Sequence, residues 1–217
     1  IFMKHLADDY SVVVQSPNPE NVYCYSPGLL KTKSGRIIAT MDFGGTGVKG
    51  MDKSFGGNFC NAGRAFVSDD GGENWRETGR FTLMHARPFE AGNSLYIIGH
   101  SLDLGIVRSD DNGETWSEVS YFSEGQHWHQ APCNVWYEED RVYLVMERFT
   151  HHRVGFPVCG NAIVLMSLSY RKEQMTMSKK SLEYNEMMRK NRALLDDIHK
   201  ENVPWDYCMG LNYLIQH

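Results

Sequence analysis

The sequence lacks any long hydrophobic run, and no stretch approaches the ~20 apolar residues that a membrane-spanning helix needs. It also lacks an excess of positive charge, since 22 Lys and Arg residues stand against 27 Asp and Glu residues, for a net charge of −5. Nucleic acids and anionic membranes both favour a basic protein surface, so neither is expected as the main partner. A sugar or another small polar ligand suits this surface better.

The cysteines are not spaced like those of a disulfide framework or a metal site. The 5 cysteines are odd in number, and they form no C-x-x-C pair and no zinc-type spacing. Buried or idle thiols are therefore expected rather than a disulfide framework, and no metal or other cofactor is predicted. No signal peptide is recognisable, so the compartment is left open, with a secreted or periplasmic location expected only if the N-terminus is processed.

What the chain does have is two copies of one eight-residue motif. Ser68–Trp75 and Ser109–Trp116 both read Ser-x-Asp-x-Gly-x-(Asn/Thr)-Trp, and they start 41 positions apart, a period typical of propeller blades. In each copy the short carboxylate is expected to accept hydrogen bonds within its own turn, while the Trp anchors the next strand. The residues given this structural role are Ser68, Asp70, Gly72, Trp75, Ser109, Asp111, Gly113 and Trp116.

This motif resembles the Asp-box, or bacterial neuraminidase repeat, of the sialidase superfamily. The resemblance implies an all-β, six-bladed propeller of four-stranded sheets. In that family each box joins the outer two strands of a blade, on the face opposite the active site. The carboxylates of Asp70 and Asp111 are therefore expected to be structural rather than catalytic.

A hairpin of similar sequence occurs three times before residue 170. Its turns are expected at Ser34-Gly35, Gly92-Asn93 and Glu139-Asp140. A proline is expected to open the innermost strand of each hairpin, where a missing backbone donor does little harm. These prolines are Pro27, Pro88 and Pro132. About three four-stranded blades are thus predicted within residues 1–170.

The remainder of the chain changes character. Residues 171–217 are predicted as a helical C-terminal extension that packs on the propeller or a partner, with an amphipathic helix from Ser181 to His199. Six blades at this period would need roughly 250 residues, so a truncated or atypical propeller is expected. The open sheet edges would then either pair in a homo-oligomer or be capped by the C-terminal helix.

Topology predicts where a ligand would bind. If the two boxes mark one end of the sheets, the starts of the innermost strands, the ends of the second strands and the following loops lie at the other end, near the propeller axis. The polar residues at these positions are Tyr25, Ser26, Asp42, Lys49, Asp52, His85, Arg87, His100, Asp103, His127, His129, Gln130, Glu147, Arg148, His151, His152 and Arg153.

Sialidases use a Tyr nucleophile, which the family pairs with a Glu, together with an Asp acid/base and three arginines that bind the substrate carboxylate. The first arginine of the family precedes a proline, where this chain reads Tyr25-Ser26-Pro27, so that arginine is missing. No Tyr can be assigned as the nucleophile.

The catalytic candidates are carboxylates. Glu147 ends a strand that reads as buried, Asp42 is equivalently placed in the first repeat, and Asp52 lies in the loop where the family's acid/base Asp would occur. Arg87 and Arg148 are candidates to bind an anionic group. The other predicted substrate-binding residues are Tyr25, His100, His127, His129 and Gln130.

The leading hypothesis from the sequence is a sialidase-like glycoside hydrolase that acts on a terminal sugar of a glycan. The alternative is a non-catalytic propeller that binds carbohydrate or protein, with side chains such as Trp128 supplying contacts without chemistry. A third alternative is an incomplete gene product that keeps the repeat and has no function.

Overall fold

The computed structural model describes residues 9–56, 60–129, 135–154, 158–169 and 176–177. Within these ranges the chain is all-β, with one 3₁₀ turn at Thr46–Val48. The all-β prediction is confirmed. The predicted helix at 181–199 and most of the predicted extension at 171–217 lie outside the described residues. No helix in the described part of the chain is long and apolar enough to cross a membrane.

Three antiparallel sheets follow one another along the chain. The first contains β1 (Tyr23–Lys31), β2 (Ile37–Gly44), β3 (Asn61–Ser68) and β4 (Arg76–Phe81), in that spatial order. The second contains β5 (Met84–Ala91), β6 (Ser94–Ser101), β7 (Asp103–Ser109) and β8 (Ser120–Tyr121). The hairpin turns that the sequence predicts at residues 34–35 and 92–93 fall between β1 and β2 and between β5 and β6.

The third sheet begins with an interrupted inner strand. β9 (Trp128–His129) and β10 (Trp136–Glu138) both pair with β11 (Arg141–Val154), which continues to β12 (Val158–Ser169) and β13 (Thr176–Met177). The first two sheets are thus four-stranded up-and-down meanders, the construction of a propeller blade, and the third has the same order with β9 and β10 both on the inner side of β11. The described strands extend past the predicted ones, because β2, β6 and β11 all continue beyond Met41, Gly99 and Met146.

The blades are held together by apolar side chains between successive sheets. Ala65 and Phe81 of the first sheet pack with Ile97 and Val107 of the second. The other face of the second sheet packs on the third, through a cluster of Phe89, Tyr96, Ile98, Leu104, Trp128, Val142, Leu144, Met146 and Leu168. The second sheet thus buries both of its faces, one against the first sheet and one against the third.

The proline prediction needs a correction. Pro27 and Pro88 lie inside β1 and β5 rather than opening them, and they are not equivalent positions. A bulge separates Tyr25 from Gly28 in β1, and another separates Met84 from Arg87 in β5, so Ala86 is the counterpart of Pro27. Both prolines are tolerated because β1 and β5 are edge strands of their sheets. Pro132 lies outside the described residues.

The two motif turns have the hydrogen bonds that the sequence predicts. In the first, Asp70 Oδ1 accepts from Ser68 Oγ at 2.8 Å and from the Asn74 N–H at 2.9 Å. In the second, Asp111 Oδ1 accepts from Ser109 Oγ at 2.8 Å and from the Thr115 N–H at 2.9 Å. Hydrogen bonding lowers the pKa of both carboxyl groups to about 2. The largest contribution comes from Asn74 for Asp70 and from Thr115 for Asp111. Each turn joins the outer two strands of its blade.

Arg36 connects the two turns at one end of the molecule. Its guanidinium donates to both carboxylate oxygens of Asp69, at 2.6 and 3.0 Å, and to the Asn112 carbonyl at 3.0 Å and Glu114 Oε1 at 2.7 Å. The side chain of Arg36 is only 13% exposed. Because the planar guanidinium of Arg36 binds two carboxylates and a carbonyl from neighbouring blades, it fixes the spacing between these blades.

Arg36→Met is expected to lower the free energy of unfolding by about 2 kcal/mol, which is roughly 4 to 8 °C in melting temperature, because the substitution removes several charge-assisted hydrogen bonds while keeping the aliphatic stem. Thermal unfolding by circular dichroism measures the change. Arg80→Met is the matched control, since Arg80 is 52% exposed and pairs only with Asp52 and Glu77 among the ion pairs described. Equal losses in the two variants would contradict the role of Arg36.

Candidate functional site

The bulged inner strands and the ends of the second strands converge at the end of the sheets opposite the motif turns. Along β3, Asn61 lies at this end and Ser68 begins the first motif turn at the other. Eight extended residues separate the two ends by roughly 23 Å. The motif turns and the polar side chains therefore lie at opposite ends of the sheets.

Three equivalent positions on the second strands carry titratable side chains. Asp42 on β2 pairs with Tyr25, His100 on β6 pairs with Met84, and Glu147 on β11 pairs with His129. The equivalence of Asp42 and Glu147 that the sequence predicts is therefore present in the strand register.

Three imidazole rings lie close together at this end of the sheets. The ring centroids of His85 and His129 are 4.7 Å apart, those of His85 and His100 are 5.2 Å apart, and those of His100 and His129 are 5.9 Å apart. His85 Nδ1 lies 3.1 Å from His100 Nε2, a hydrogen bond between two ring nitrogens. One nitrogen must then donate and the other accept, which requires at least one neutral ring. We call His85, His100 and His129 the histidine cluster.

Burial keeps the inner two rings uncharged. It lowers the pKa of His85 to about 4, with a further lowering from His129 and an opposing effect of Glu147. It lowers the pKa of His100 well below the ordinary value, with contributions from His85 and His129. Both rings are therefore neutral near pH 7 and able to accept a proton.

Glu147 pairs with His129 on the solvent-facing side of the histidine cluster. His129 Nδ1 lies 3.2 Å from Glu147 Oε2, and the two side chains are 25% and 30% exposed. The pair is formed because Glu147 and His129 are directly opposite on β11 and β9. An accessible carboxylate bonded to an imidazole is an arrangement that can transfer a proton to or from a bound molecule.

Asp42 is a different kind of carboxyl group, because it is fully buried. Its Oδ2 accepts the backbone N–H of His85 at 2.6 Å, across the boundary between the first two blades. Its Oδ1 has no hydrogen-bond partner among the described residues. Burial raises the pKa of Asp42 to about 7, although the His85 N–H acts in the opposite direction.

The bulge at His85 is built to meet Asp42. His85 has a φ of 51°, a left-handed conformation that a non-glycine residue adopts only when its surroundings enforce it. Thr40 Oγ1 donates to the next carbonyl, that of Ala86, at 2.6 Å. Blade 1 thus holds the strained backbone of blade 2 through two side chains, Thr40 and Asp42, and so fixes where the His85 ring lies.

Tyr25 lies against the histidine cluster, and its hydrogen-bond partner, Asn61, was not identified from the sequence. The Tyr25 ring meets His85 edge-on at 6.2 Å, and its hydroxyl donates to Asn61 Oδ1 at 2.7 Å. Burial, then the charge of Asp42, raises the pKa of the Tyr25 phenol. Asn61 opens a strand that is otherwise almost entirely small or apolar, and this lone polar start is the signal that could have identified it.

Other predicted site residues lie at the margins of the cluster or outside the described residues. Asp52 is exposed and contacts Arg80 on the outer strand β4, at 3.4 Å. Arg87 and Arg148 are half-buried on β5 and β11, and His127 lies near Asp103. Gln130 lies outside the described residues. The described residues contain no group of three or more side chains placed to hold a metal ion.

No family model matches the chain, and no curated protein matches it. Solved structures of β-propellers are similar in fold. The α-L-arabinanase of Penicillium chrysogenum, solved with arabinobiose, is 14% identical with a TM-score of 0.48, over 73% of this chain and 49% of that one. A Hadza microbial sialidase is 16% identical with a TM-score of 0.45, over 73% and 34%.

An ulvan lyase, solved with a glucuronate–rhamnose sulfate ligand, is 13% identical with a TM-score of 0.49, over 70% of this chain and 41% of that one. The chain thus spans between about a third and a half of the length of these three proteins. Similarity at this level concerns the type of fold and carries nothing about reaction or substrate.

Proposed function

We propose that the histidine cluster, with Glu147 and Tyr25, is the active site of a glycoside hydrolase that acts on a glycan. The observation that carries this proposal is the His129–Glu147 pair, which is accessible and lies beside two neutral imidazoles. Cleavage of a glycosidic bond needs a group that protonates the leaving oxygen and a group that assists attack on the sugar carbon. Glu147 is the accessible carboxyl group best placed to transfer the proton.

Asp42 acts as a positioning residue in this proposal. It is fully buried and bonded to the backbone of His85, so it supports the ring rather than touching the substrate. Arg87 and Arg148 remain candidates to bind an anionic substituent of the substrate. Asp52, which is exposed, remains a candidate to contact the substrate at the edge of the site. We further propose that the two motif turns are Asp-boxes of the sialidase superfamily, since both close outer hairpins by the hydrogen bonds described above.

The test is hydrolysis of fluorogenic sialosides and a panel of uncharged aryl glycosides. Glu147→Gln and His129→Gln are each expected to lower kcat by about 10² to 10⁴-fold on the substrate that is turned over, because each removes the proton-transfer pair. Glu138→Gln is the matched control, an exposed carboxylate on β10 of the same blade. Unchanged turnover in both variants would contradict the site, and binding of glycans without any turnover would favour the non-catalytic alternative.

A second reaction class fits the same side chains. A neutral imidazole such as that of His85 can accept the proton that β-elimination removes from the carbon beside a uronate carboxylate, and a half-buried phenol such as Tyr25 can donate to the leaving oxygen. The unsaturated sugar that elimination forms absorbs in the ultraviolet, whereas a hydrolysis product does not. The same assay with uronate-containing polysaccharides therefore distinguishes the two reactions.

A further inference from the structure

A cleft of about 640 Å³ opens in the second blade. One wall is the turn from β6 to β7, with Ser101, Leu102 and Asp103, and the other is the segment from Tyr121 to Glu124. Its volume is within the range of small-ligand sites. The proposed glycosidase reaction uses none of these residues.

The cleft and the histidine cluster share backbone. Ser101 directly follows His100 on β6. The Trp128 N–H donates to the Leu102 carbonyl at 2.8 Å, and His129 is the next residue. The cleft is therefore lined by residues that are next in sequence, or hydrogen-bonded, to the segments that carry two of the three imidazoles.

Tyr121 offers a fixed aromatic surface in the cleft. Its hydroxyl is bonded to Ser101 Oγ at 3.0 Å, and its ring lies so close to Gly105 that a Cβ added there would be 3.3 Å from the ring. The residue is nevertheless 52% exposed. A ring that is both anchored and exposed presents an apolar face at little conformational cost, which suits the C–H face of a sugar ring.

The floor of the cleft is already organised. Ser123 Oγ donates to Asp103 Oδ1 at 2.6 Å and accepts from the Leu104 N–H and from Trp128 Nε1, at 3.1 and 3.0 Å. The N–H groups of Gln126 and Gly125 donate to the same carboxylate at 2.9 and 3.0 Å. Burial would raise the pKa of Asp103, but these hydrogen bonds more than offset it, and the carboxyl group stays ionised at neutral pH.

The charge of the cleft limits what can bind there. Asp103 and Glu124 are both acidic, and an anionic sugar would be repelled by them. An uncharged sugar meets no such penalty and can use the hydroxyl of Ser101.

We propose that this cleft is a subsite for an uncharged sugar unit of the glycan, adjacent to the unit processed at the histidine cluster. The inference rests on the proposed function for its orientation toward the cluster. The substrate is then at least a disaccharide, with an uncharged sugar unit against the Tyr121 ring.

Direct binding tests the subsite whether or not turnover is found. Ligand-observed NMR titrations with cellobiose, xylobiose and arabinobiose as uncharged probes, and with sialyllactose and digalacturonate as anionic ones, are carried out on the full chain. Tyr121→Ala is expected to weaken binding of the best uncharged probe by about three- to tenfold, and Tyr121→Phe to change it by less than about twofold. Tyr10→Ala is the control, because Tyr10 is 91% exposed and lies far from this blade in the sequence.

Where turnover is found, Tyr121→Ala is expected to raise KM for the oligosaccharide and leave that for the aryl monoglycoside unchanged. Equal binding of uncharged probes to wild type and Tyr121→Ala would overturn the subsite even if the enzyme is active. Tighter binding of an anionic probe that depends on Tyr121 would overturn the assignment of an uncharged sugar. Loss of binding in Tyr121→Ala but not in Tyr121→Phe supports the subsite even if no hydrolysis is detected.

Discussion

Replacing Asp42 by Asn is expected to stabilise the protein increasingly as the pH rises from about 4 to about 7. The folded protein holds the Asp42 proton until about pH 7, whereas the unfolded chain releases it near 3.8. A group whose pKa is raised by folding contributes stability below its unfolded pKa, and that stability is lost as the pH rises through the folded value. Wild type therefore carries a buried charge at alkaline pH that the Asn variant lacks.

The size of the effect follows from the shift. A pKa change from 3.8 to about 7 corresponds to about 4 kcal/mol in total, or about 1.4 kcal/mol per pH unit across that window. The two buried imidazoles act in the opposite sense, because the lowered pKa values of His85 and His100 favour folding above their unfolded pKa and cost stability as the pH falls. Subtracting wild type from variant at each pH removes this shared contribution.

Urea unfolding of the two proteins between about pH 5 and about pH 8 measures the difference. The control is Asp103→Asn. The pKa of Asp103 is lowered, so the contribution of its charge is complete above its unfolded value and the difference from wild type is expected to be flat over this range. A flat difference for Asp42→Asn as well would show that the Asp42 carboxyl group is not buried as described.

Trp128→Ala is expected to cost about 3 to 5 kcal/mol in the free energy of unfolding. Trp128 is 1% exposed, is among the largest fully buried side chains, and packs between the second and third blades with Phe89 and Leu144. Its indole N–H also donates to Ser123 Oγ. Removing it leaves a cavity and one lost hydrogen bond beside β9, which carries His129.

Chemical denaturation measures this loss, with Trp136→Ala as the matched control. Trp136 is 71% exposed on β10 of the same sheet, so its removal is expected to change stability by about 0.5 kcal/mol or less. Similar losses in the two variants would contradict the packing of the second blade on the third. Trp128→Phe keeps most of the buried area and is expected to retain more stability than Trp128→Ala.

The repeat in the sequence was sufficient to predict the blades and the end of the sheets at which the polar side chains lie. Because each blade repeats the same hairpin, Asp42 and Glu147 could be recognised as equivalent before any coordinates, and the polar ends of the second strands could be assigned to one end of the sheets. The motif turns were predictable for the same reason, since their hydrogen bonds are local. The predicted homo-oligomer and the predicted domain boundary near residue 170 stay predictions.

The rest depends on contacts between distant residues, which a repeat does not encode. The bulges at Ser26 and His85 shift the register of the inner strands, so matching Pro27 with Pro88 gave the wrong equivalence. The burial of Asp42 and its bond to the His85 backbone arise from the packing of one blade on the next. Asn61 and the Tyr121 cleft depend on partners 36 and 20 positions away, which no local pattern indicates.

The end of the sheets opposite the motif turns encloses two uncharged imidazoles, those of His85 and His100. Long-range ¹H–¹⁵N NMR spectra of the imidazoles at about pH 5.5, assigned with His85→Gln and His100→Gln, test it most directly. Both rings are expected to be neutral at this pH, with one nitrogen protonated in each. Two protonated rings that titrate near the ordinary value of about 6.5 would contradict it.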